Sequence, residues 1–235
     1  MRLLILAGGF GTRLKPVVSD VPKALARVGE LPFLHLQIEN WLSQGVKSFV
    51  FLLHHQSDLI IKFLKKEKNK LLKGYDVEWV VEPFPMDTGG AVAFAVKELN
   101  ISQSFLLTNA DTWLGSGMKE AWQTVPSGMV VVRVPNSGRY GSVEFNQSNI
   151  ITTFHEKKNS TDVGWINSGL SHLDAGLFKG WNHEPFSLET LHFTGLALRG
   201  ALKAIPLDSS FIDIGIPEDY FRFCSWVKSG RKGTL

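Results

Sequence analysis

Apolar runs bounded by turn residues alternate along this chain with stretches of helical periodicity. Leu3–Ala7, Ser48–Leu53, Val77–Val81 and Ser104–Thr108 each read as a short strand. Continuous apolar runs of that length suit strands covered on both faces. Between the first two, Phe33, Leu36, Ile38, Trp41 and Leu42 recur at roughly helical spacing, and Gly45 stands where a helix would stop. Asp58–Lys70 predicts an amphipathic helix with a basic, solvated outer face, and Gly90–Leu99 predicts another. Gly128–Val134, Gly141–Phe145, Ile150–Glu156, Leu170–Leu173 and Ala204–Pro206 read as later strands, and Tyr220–Val227 as a final amphipathic helix. This alternation predicts an α/β fold with a mixed, mainly parallel central sheet between helical layers, a Rossmann-like three-layer sandwich. No linker, internal repeat or low-complexity tract divides the chain, and nothing after Leu198 has a hexapeptide period, so residues 1–235 read as one domain.

Composition narrows the picture only where it excludes something. The chain has 235 residues, 44% hydrophobic and 20% charged, enough to bury a sheet on both faces. A formal charge of +3 demands no nucleic-acid partner, and small phosphorylated molecules satisfy it as well. A single cysteine, Cys224, forms no internal disulfide and no zinc-type spacing, which points to a reducing, cytoplasmic setting. The apolar N-terminus stops at Gly8-Gly9, too early for a signal peptide, and no stretch approaches the ~20 apolar residues of a membrane span.

The segment Gly8-Gly9-Phe10-Gly11-Thr12-Arg13-Leu14 follows the first strand directly, and Pro22-Lys23 comes a little later. Glycines there let backbone N–H groups approach phosphate oxygens, while Arg13 and Lys23 supply the positive charge a triphosphate needs. A Walker loop would require Gly-x-x-x-x-Gly-Lys-Ser/Thr, which does not occur. A dinucleotide fingerprint would require a third glycine at Leu14 and an acid near Leu53-His54-His55. A bare strand-to-loop turn with a surface arginine is the remaining alternative at this point.

The string from Gly8 to Leu34, GGFGTRLKPVVSDVPKALARVGELPFL, resembles the signature of the sugar-1-phosphate nucleotidyltransferases. The resemblance continues through Glu82-Pro83 with Thr88-Gly89-Gly90-Ala91, Asn109-Ala110-Asp111, Glu156-Lys157, Ile166-Asn167-Ser168-Gly169 and Phe211-Ile212-Asp213-Ile214-Gly215. It implies the nucleotide-diphospho-sugar transferase fold, with a nucleotide-binding part over roughly 1–115 and a sugar-phosphate-binding part over roughly 116–235. On the nucleotide side it implies Leu6, Ala7, Gly8, Gly9, Gly11, Thr12, Arg13, Glu82, Thr88 and Gly89. On the sugar-phosphate side it implies Gly90, Asn109, Glu156, Lys157, Asn167 and Gly169.

Asp111 lies at the predicted C-terminal end of a strand, where ligands of open α/β sheets sit. Asp213 interrupts the apolar run Phe211–Ile216, where a carboxylate is costly to bury without a partner. Taken singly, each is equally a cap, turn or ion-paired carboxylate. A shared Mg²⁺, which takes a few carboxylates and keeps its other positions for water and phosphate, resolves both, and the resemblance places the family's metal ligands at Asp111 and Asp213. It likewise implies catalytic roles for Arg13 at the leaving phosphates and Lys23 between phosphate groups, with Lys157 at the sugar phosphate. The expected reaction is in-line attack of a sugar phosphate oxygen on the α-phosphorus of a nucleoside triphosphate. A phosphomonoester ionises with a pKa near ~6, so no general base is needed, and the seven histidines offer no base-and-carboxylate arrangement.

Three departures from the family pattern bear on specificity: Pro85-Met86-Asp87-Thr88, Glu156-Lys157-Lys158, and Ser171-His172 in place of a common tyrosine. The Phe33-Leu34, Phe186–Glu189 and Phe211–Tyr220 strings are most similar to bacterial D-glycero-D-manno-heptose 1-phosphate guanylyltransferases. That branch implies GTP, a heptose 1-phosphate and surface polysaccharide such as lipopolysaccharide or capsule; mannose, glucose or an aminosugar with another nucleotide is the alternative. A non-catalytic binding homologue would lack part of the set Arg13, Lys23, Asp111 and Asp213, and all four are present. A glycosyltransferase would carry Asp-x-Asp where Asp111-Thr112-Trp113 stands. Trp79, Trp113 and Trp165 lie near motif segments, as candidates to line a pocket, and an apolar face on the final helix would suit a homodimer.

Overall fold

The computed structural model describes residues 1–155, 162–232 and 235. Four parallel strands form its nucleotide-side half: β1 (Arg2–Leu6), β4 (Ser48–Leu53), β5 (Asp76–Val81) and β6 (Phe105–Asn109), in the order β6-β1-β4-β5. Short strands β2 (Arg27–Val28) and β3 (Leu31–Pro32) pair as a separate hairpin between β1 and helix α1 (Phe33–Ser43). Helices α2 (Ser57–Glu67) and α3 (Asp87–Glu98) connect the parallel strands in turn. β7 (Thr112–Leu114) and α4 (Met118–Gln123) follow β6, and the second half adds β8 (Gly128–Val134), β9 (Ser142–Phe145) and β10 (Ile151–His155). β11 (Gly164–Leu173), α5 (Thr194–Leu198), β12 (Lys203–Leu207), β13 (Phe211–Asp213) and α6 (Pro217–Lys228) complete the chain.

Among the described residues the main sheet is nine-stranded, running β10-β9-β11-β6-β1-β4-β5 with β8 and β12 attached beside β11. β11 is antiparallel to both β6 and β8, so the sheet is mixed, with the parallel block on one side as expected. Strand alternation sorts the core: Leu3, Ile5, Phe49 and Phe51 face α1 and α2, while Leu4, Val50 and Leu52 face α3. These are the two interfaces of a three-layer sandwich. A third cluster binds Leu14 of the glycine loop to Phe33 and Leu36 of α1, Trp113, Ile212, Ile214 and Phe223 of α6. It seats the glycine loop, the β7–β13 pair and the last helix on one another.

Two elements differ from their predicted bounds for physical reasons. β11 is not confined to Leu170–Leu173 but begins at Gly164, and its register on β8 shifts between Asn167 and Ser171. The turn-like residues Asn167-Ser168-Gly169 form an irregularity inside a strand rather than its boundary, with Gly169 at φ +84°. α3 begins at Asp87 rather than Gly90 because Asp87, at φ +58°, and Thr88 lead into the first turn, where the Gly89 and Gly90 N–H groups donate to the carbonyl of Phe186.

Candidate active site

The glycine loop leaves β1 at Ala7, whose N–H donates to Leu52 O at 2.9 Å. The Leu6 carbonyl accepts from Ala110 N at 3.0 Å, which ties the loop's entry to Asn109-Ala110-Asp111. Leu14 is buried and closes a turn onto Gly11 O, while Gly9, Phe10, Thr12 and Arg13 are exposed. Among the described residues no backbone N–H from Gly8 to Arg13 has an acceptor. A row of amides without protein acceptors is what an anion-binding loop presents.

Lys23, opening the short 3₁₀ turn Lys23–Leu25, lies under this loop. Its Nζ is paired with Asp111 Oδ2 and stands 4.0 Å from Asp213 Oδ1. The two aspartates come from distant parts of the chain and are joined by backbone pairing: β7 runs antiparallel to β13 with Thr112 opposite Asp213, and Ile214 N donates to Asp111 O at 3.0 Å. α1 holds this ribbon through Gln37 Nε2 to Thr112 O and Asn40 Nδ2 to Leu114 O, both at 2.7 Å. Arg13 Nη2 lies 3.3 Å from the point a Cβ on Gly215 would occupy, and Gly215 N donates to Asp213 Oδ1 at 2.7 Å. Burial, reinforced by the Asp111 charge, pushes the Asp213 carboxyl above its ordinary range despite Lys23, the Gly215 amide and Arg13. Arg13, Lys23, Asp111 and Asp213 are therefore one cluster.

No group of three or more His, Cys, Asp or Glu side chains converges among the described residues. The Asp111–Asp213 pair does fit a hard divalent cation: two oxygen donors, partly open, around a point that already attracts the Lys23 ammonium and leaves one acid reluctant to ionise.

Glu82, just past β5, is buried, with Oε2 accepting from Met86 N at 3.0 Å. Burial pushes its carboxyl upward, partly offset by the Met86 amide and His54. A Cβ added to Gly8 would lie 3.1 Å from Glu82 Oε1 and 3.1 Å from His54 Cβ, so the loop backbone passes directly beside this acid.

Beyond the aspartates lies a cavity of about 420 Å³, a size usual for small-molecule sites. Asn109 at the end of β6, Asn167 and Gly169 in the β11 irregularity, Thr88 and Asp213 line it. Asn167 Oδ1 accepts from Gly169 N at 2.9 Å, and Asn167 N donates to Gly141 O at 2.9 Å. Thr88, implied on the nucleotide side, faces this cavity. Gly89 and Gly90 do not line it; they pack on residues 184–186. A Cβ on Gly89 would fall 2.1 Å from a Phe186 ring carbon. Gly89→Ala should therefore cost about 1–3 kcal/mol of stability from overpacking, and Phe186→Ala in the same chain should recover part of it. Equal denaturation midpoints for Gly89→Ala and the parent would contradict this close approach.

Glu156 and Lys157 lie outside the described residues. The cavity also contains residues to which the sequence alone assigns no role: Tyr140-Gly141, Phe154, Ser187, Glu189 and Phe211. Ser187 and Glu189 fall within the Phe186–Glu189 string, whose resemblance marks a branch but no function. Trp79, Trp113 and Trp165 do not line the cavity; Trp113 is buried between Phe223 and Trp226.

A loop of free amides with two cations, an acid pair suited to a metal, and an adjoining cavity of mixed polar and aromatic lining define a site suited to joining two phosphorylated substrates. The chain belongs to the nucleotidyl transferase family, whose model matches residues 2–227. It is 29% identical over 228 residues to a D-glycero-alpha-D-manno-heptose 1-phosphate guanylyltransferase of Campylobacter jejuni, covering 95% of this chain and 98% of that one. It is 30% identical over 240 residues to a mannose-1-phosphate guanylyltransferase catalytic subunit beta of Xenopus tropicalis, covering 99% of this chain and 66% of that protein. The crystal structure of HddC from Yersinia pseudotuberculosis complexed with GMP-PN superposes with a TM-score of 0.82 at 33% identity, covering 96% of this chain and 99% of that one. No helix among the described residues is long and apolar enough to cross a membrane.

Proposed function

We propose that this nucleotidyltransferase moves a guanylyl group from GTP to D-glycero-D-manno-heptose 1-phosphate, releasing pyrophosphate. The observation that carries the reaction is the convergence of Lys23, Asp111 and Asp213 between the amide-rich loop and the cavity. The branch rests on the Campylobacter and Yersinia relatives, both matched over nearly their whole length. Mannose 1-phosphate is the second reading, from the Xenopus relative.

In this reading the Gly8–Arg13 amides and Arg13 bind the β- and γ-phosphates and take up charge as pyrophosphate departs. Lys23 would meet the phosphate groups between the loop and the cavity, and Asp111 and Asp213 would hold Mg²⁺. The metal, when bound, supplies Lewis-acid neutralisation of the phosphate oxygens. Asn109, Asn167 and Gly169 hold the sugar so that its already ionised phosphate reaches the α-phosphorus in line, with Glu156 and Lys157 as further contacts and no base required. The product would serve surface polysaccharide assembly in the cytoplasm.

The test is pyrophosphate release with Mg²⁺ across GTP, UTP, dTTP, CTP and ATP against heptose, mannose and glucose 1-phosphates. Highest kcat/KM for GTP with heptose 1-phosphate supports the reading; a different best pair replaces the substrates, and silence removes the activity. Gly169→Ala sharpens the sugar side. Its φ of +84° costs an L-residue about 1–2 kcal/mol, and the new Cβ would stand 2.8 Å from Asn109 Nδ2. The sugar-phosphate KM should rise on the order of tenfold with the GTP KM unchanged, while the melting temperature falls by roughly 2–6 °C. An unchanged sugar-phosphate KM would remove Asn109 and Gly169 from the sugar site.

A further inference from the structure

Glu189 stands in the wall of the cavity at the start of a single wide helical turn, Glu189–Phe193, of the π type that recurs at functional sites. One of its oxygens is fixed from two sides: Thr88 Oγ1 donates to Oε2 at 2.7 Å and Ser187 Oγ donates to it at 3.2 Å. Thr88 is anchored in turn, accepting from Leu188 N at 2.9 Å. Among the described residues the other oxygen, Oε1, receives no hydrogen bond. A carboxylate tethered through one oxygen with the second free is aimed to accept from something in the cavity.

The ligand chemistry follows from the charges. No lysine or arginine lines the cavity among the described residues, and its two acids are Asp213 and Glu189. Asp213 has Lys23 and Arg13 beside it, so a phosphate belongs at that end. Among the described residues Glu189 is bonded by two hydroxyls and pairs with no cation, a setting that repels phosphate and suits neutral hydroxyl donors. We infer that Glu189 accepts hydrogen bonds from hydroxyls of the sugar's carbon skeleton and is a specificity-determining residue for the sugar 1-phosphate. This rests on the transferase reading above. Thr88 acquires a positioning role with it, because its hydroxyl sets the direction in which Glu189 points.

Glu189→Gln tests it, because an amide oxygen can still accept from Thr88 and Ser187 while the charge is lost. With the best substrate pair, the KM for the sugar 1-phosphate should rise on the order of tenfold or more, with the GTP KM, kcat and melting temperature little changed. Mono-deoxy analogues of that sugar 1-phosphate supply the readout a structural role would not move. At least one deoxy position should weaken the parent protein's substrate use about tenfold yet make little difference in Glu189→Gln. Equal sugar KM values in parent and variant, or equal deoxy penalties in both, would overturn the assignment while leaving the transferase activity standing. If the parent itself turns nothing over, the transferase reading fails first. Calorimetric binding of heptose 1-phosphate to both proteins then decides Glu189: weaker binding by the variant retains it, and equal or absent binding removes it.

Discussion

Asp213→Asn should abolish turnover and leave the protein as stable as before or more so. The carboxylate is one of two oxygen donors proposed for the divalent cation, and metal neutralisation of a transferring phosphate is worth several kcal/mol. Losing about 4 kcal/mol lowers kcat roughly 10³-fold. The stability half has a separate cause. Burial and the neighbouring Asp111 push the Asp213 carboxyl above its ordinary 3.8, so the folded protein binds that proton more tightly than the unfolded chain does. Stability from this group is fully present below the ordinary range and is lost as pH rises through the raised folded value; at neutral pH its charge is a cost. Asparagine removes that cost, keeps an acceptor for Gly215 N, and leaves the Lys23–Asp111 pair intact. The melting temperature should hold or rise at pH 7, with any gain shrinking as pH falls through the raised folded value and gone below the ordinary 3.8. Activity within tenfold of the parent would end the metal assignment, and a melting temperature lower by several degrees at pH 7 would show Asp213 to be structural.

That pattern, activity lost and stability spared, is what a site held together against its own electrostatics should give. The surrounding scaffold absorbs the cost: β7 and β13 are paired along their backbones, clamped by Gln37 and Asn40, and packed on Trp113, Ile212 and Phe223.

The parallel half of the fold was legible because β1, β4 and β6 are largely apolar runs with polar or glycine ends, β1 closing at Gly8-Gly9, β4 at His54-His55 and β6 at Asn109. The cluster of Arg13, Lys23, Asp111 and Asp213 was legible as a set of residues through the resemblance, but not as a place. β7 and β13 are three residues each and join segments on either side of five other strands, a pairing no local periodicity carries. The Asn167–Gly169 irregularity looked like a strand boundary because its residues are those of turns. Glu189 was invisible as a site residue for a similar reason. Its role depends on Thr88 and Ser187, and the contact to Thr88 spans half the domain.

Glu82→Gln should redirect the choice of nucleotide. Glu82 is buried beside the glycine loop with Oε2 occupied by Met86 N and Oε1 at the Gly8 backbone, where a base stacked against small residues would present its edge. Guanine alone offers two adjacent donors, N1–H and N2–H₂, which a carboxylate can accept together. Uracil and thymine offer one N–H flanked by carbonyls, and adenine and cytosine pair one donor with an acceptor that a carboxylate repels. Each charge-assisted bond is worth about 1.5–3 kcal/mol, so the loss for GTP should be on the order of 10²-fold in kcat/KM. A glutamine amide, with one acceptor and one donor, matches N3–H and an adjacent carbonyl, so UTP and dTTP should gain relative to GTP. The raised carboxyl of Glu82 adds a pH signature: GTP use in the parent should weaken as pH falls toward that value, because only the ionised acid accepts from both donors, while the glutamine variant should show no such loss. Competition between GTP and UTP at one sugar-phosphate concentration, followed over pH, reads both effects at once, and an unaltered GTP:UTP ratio in the variant would move base recognition away from Glu82.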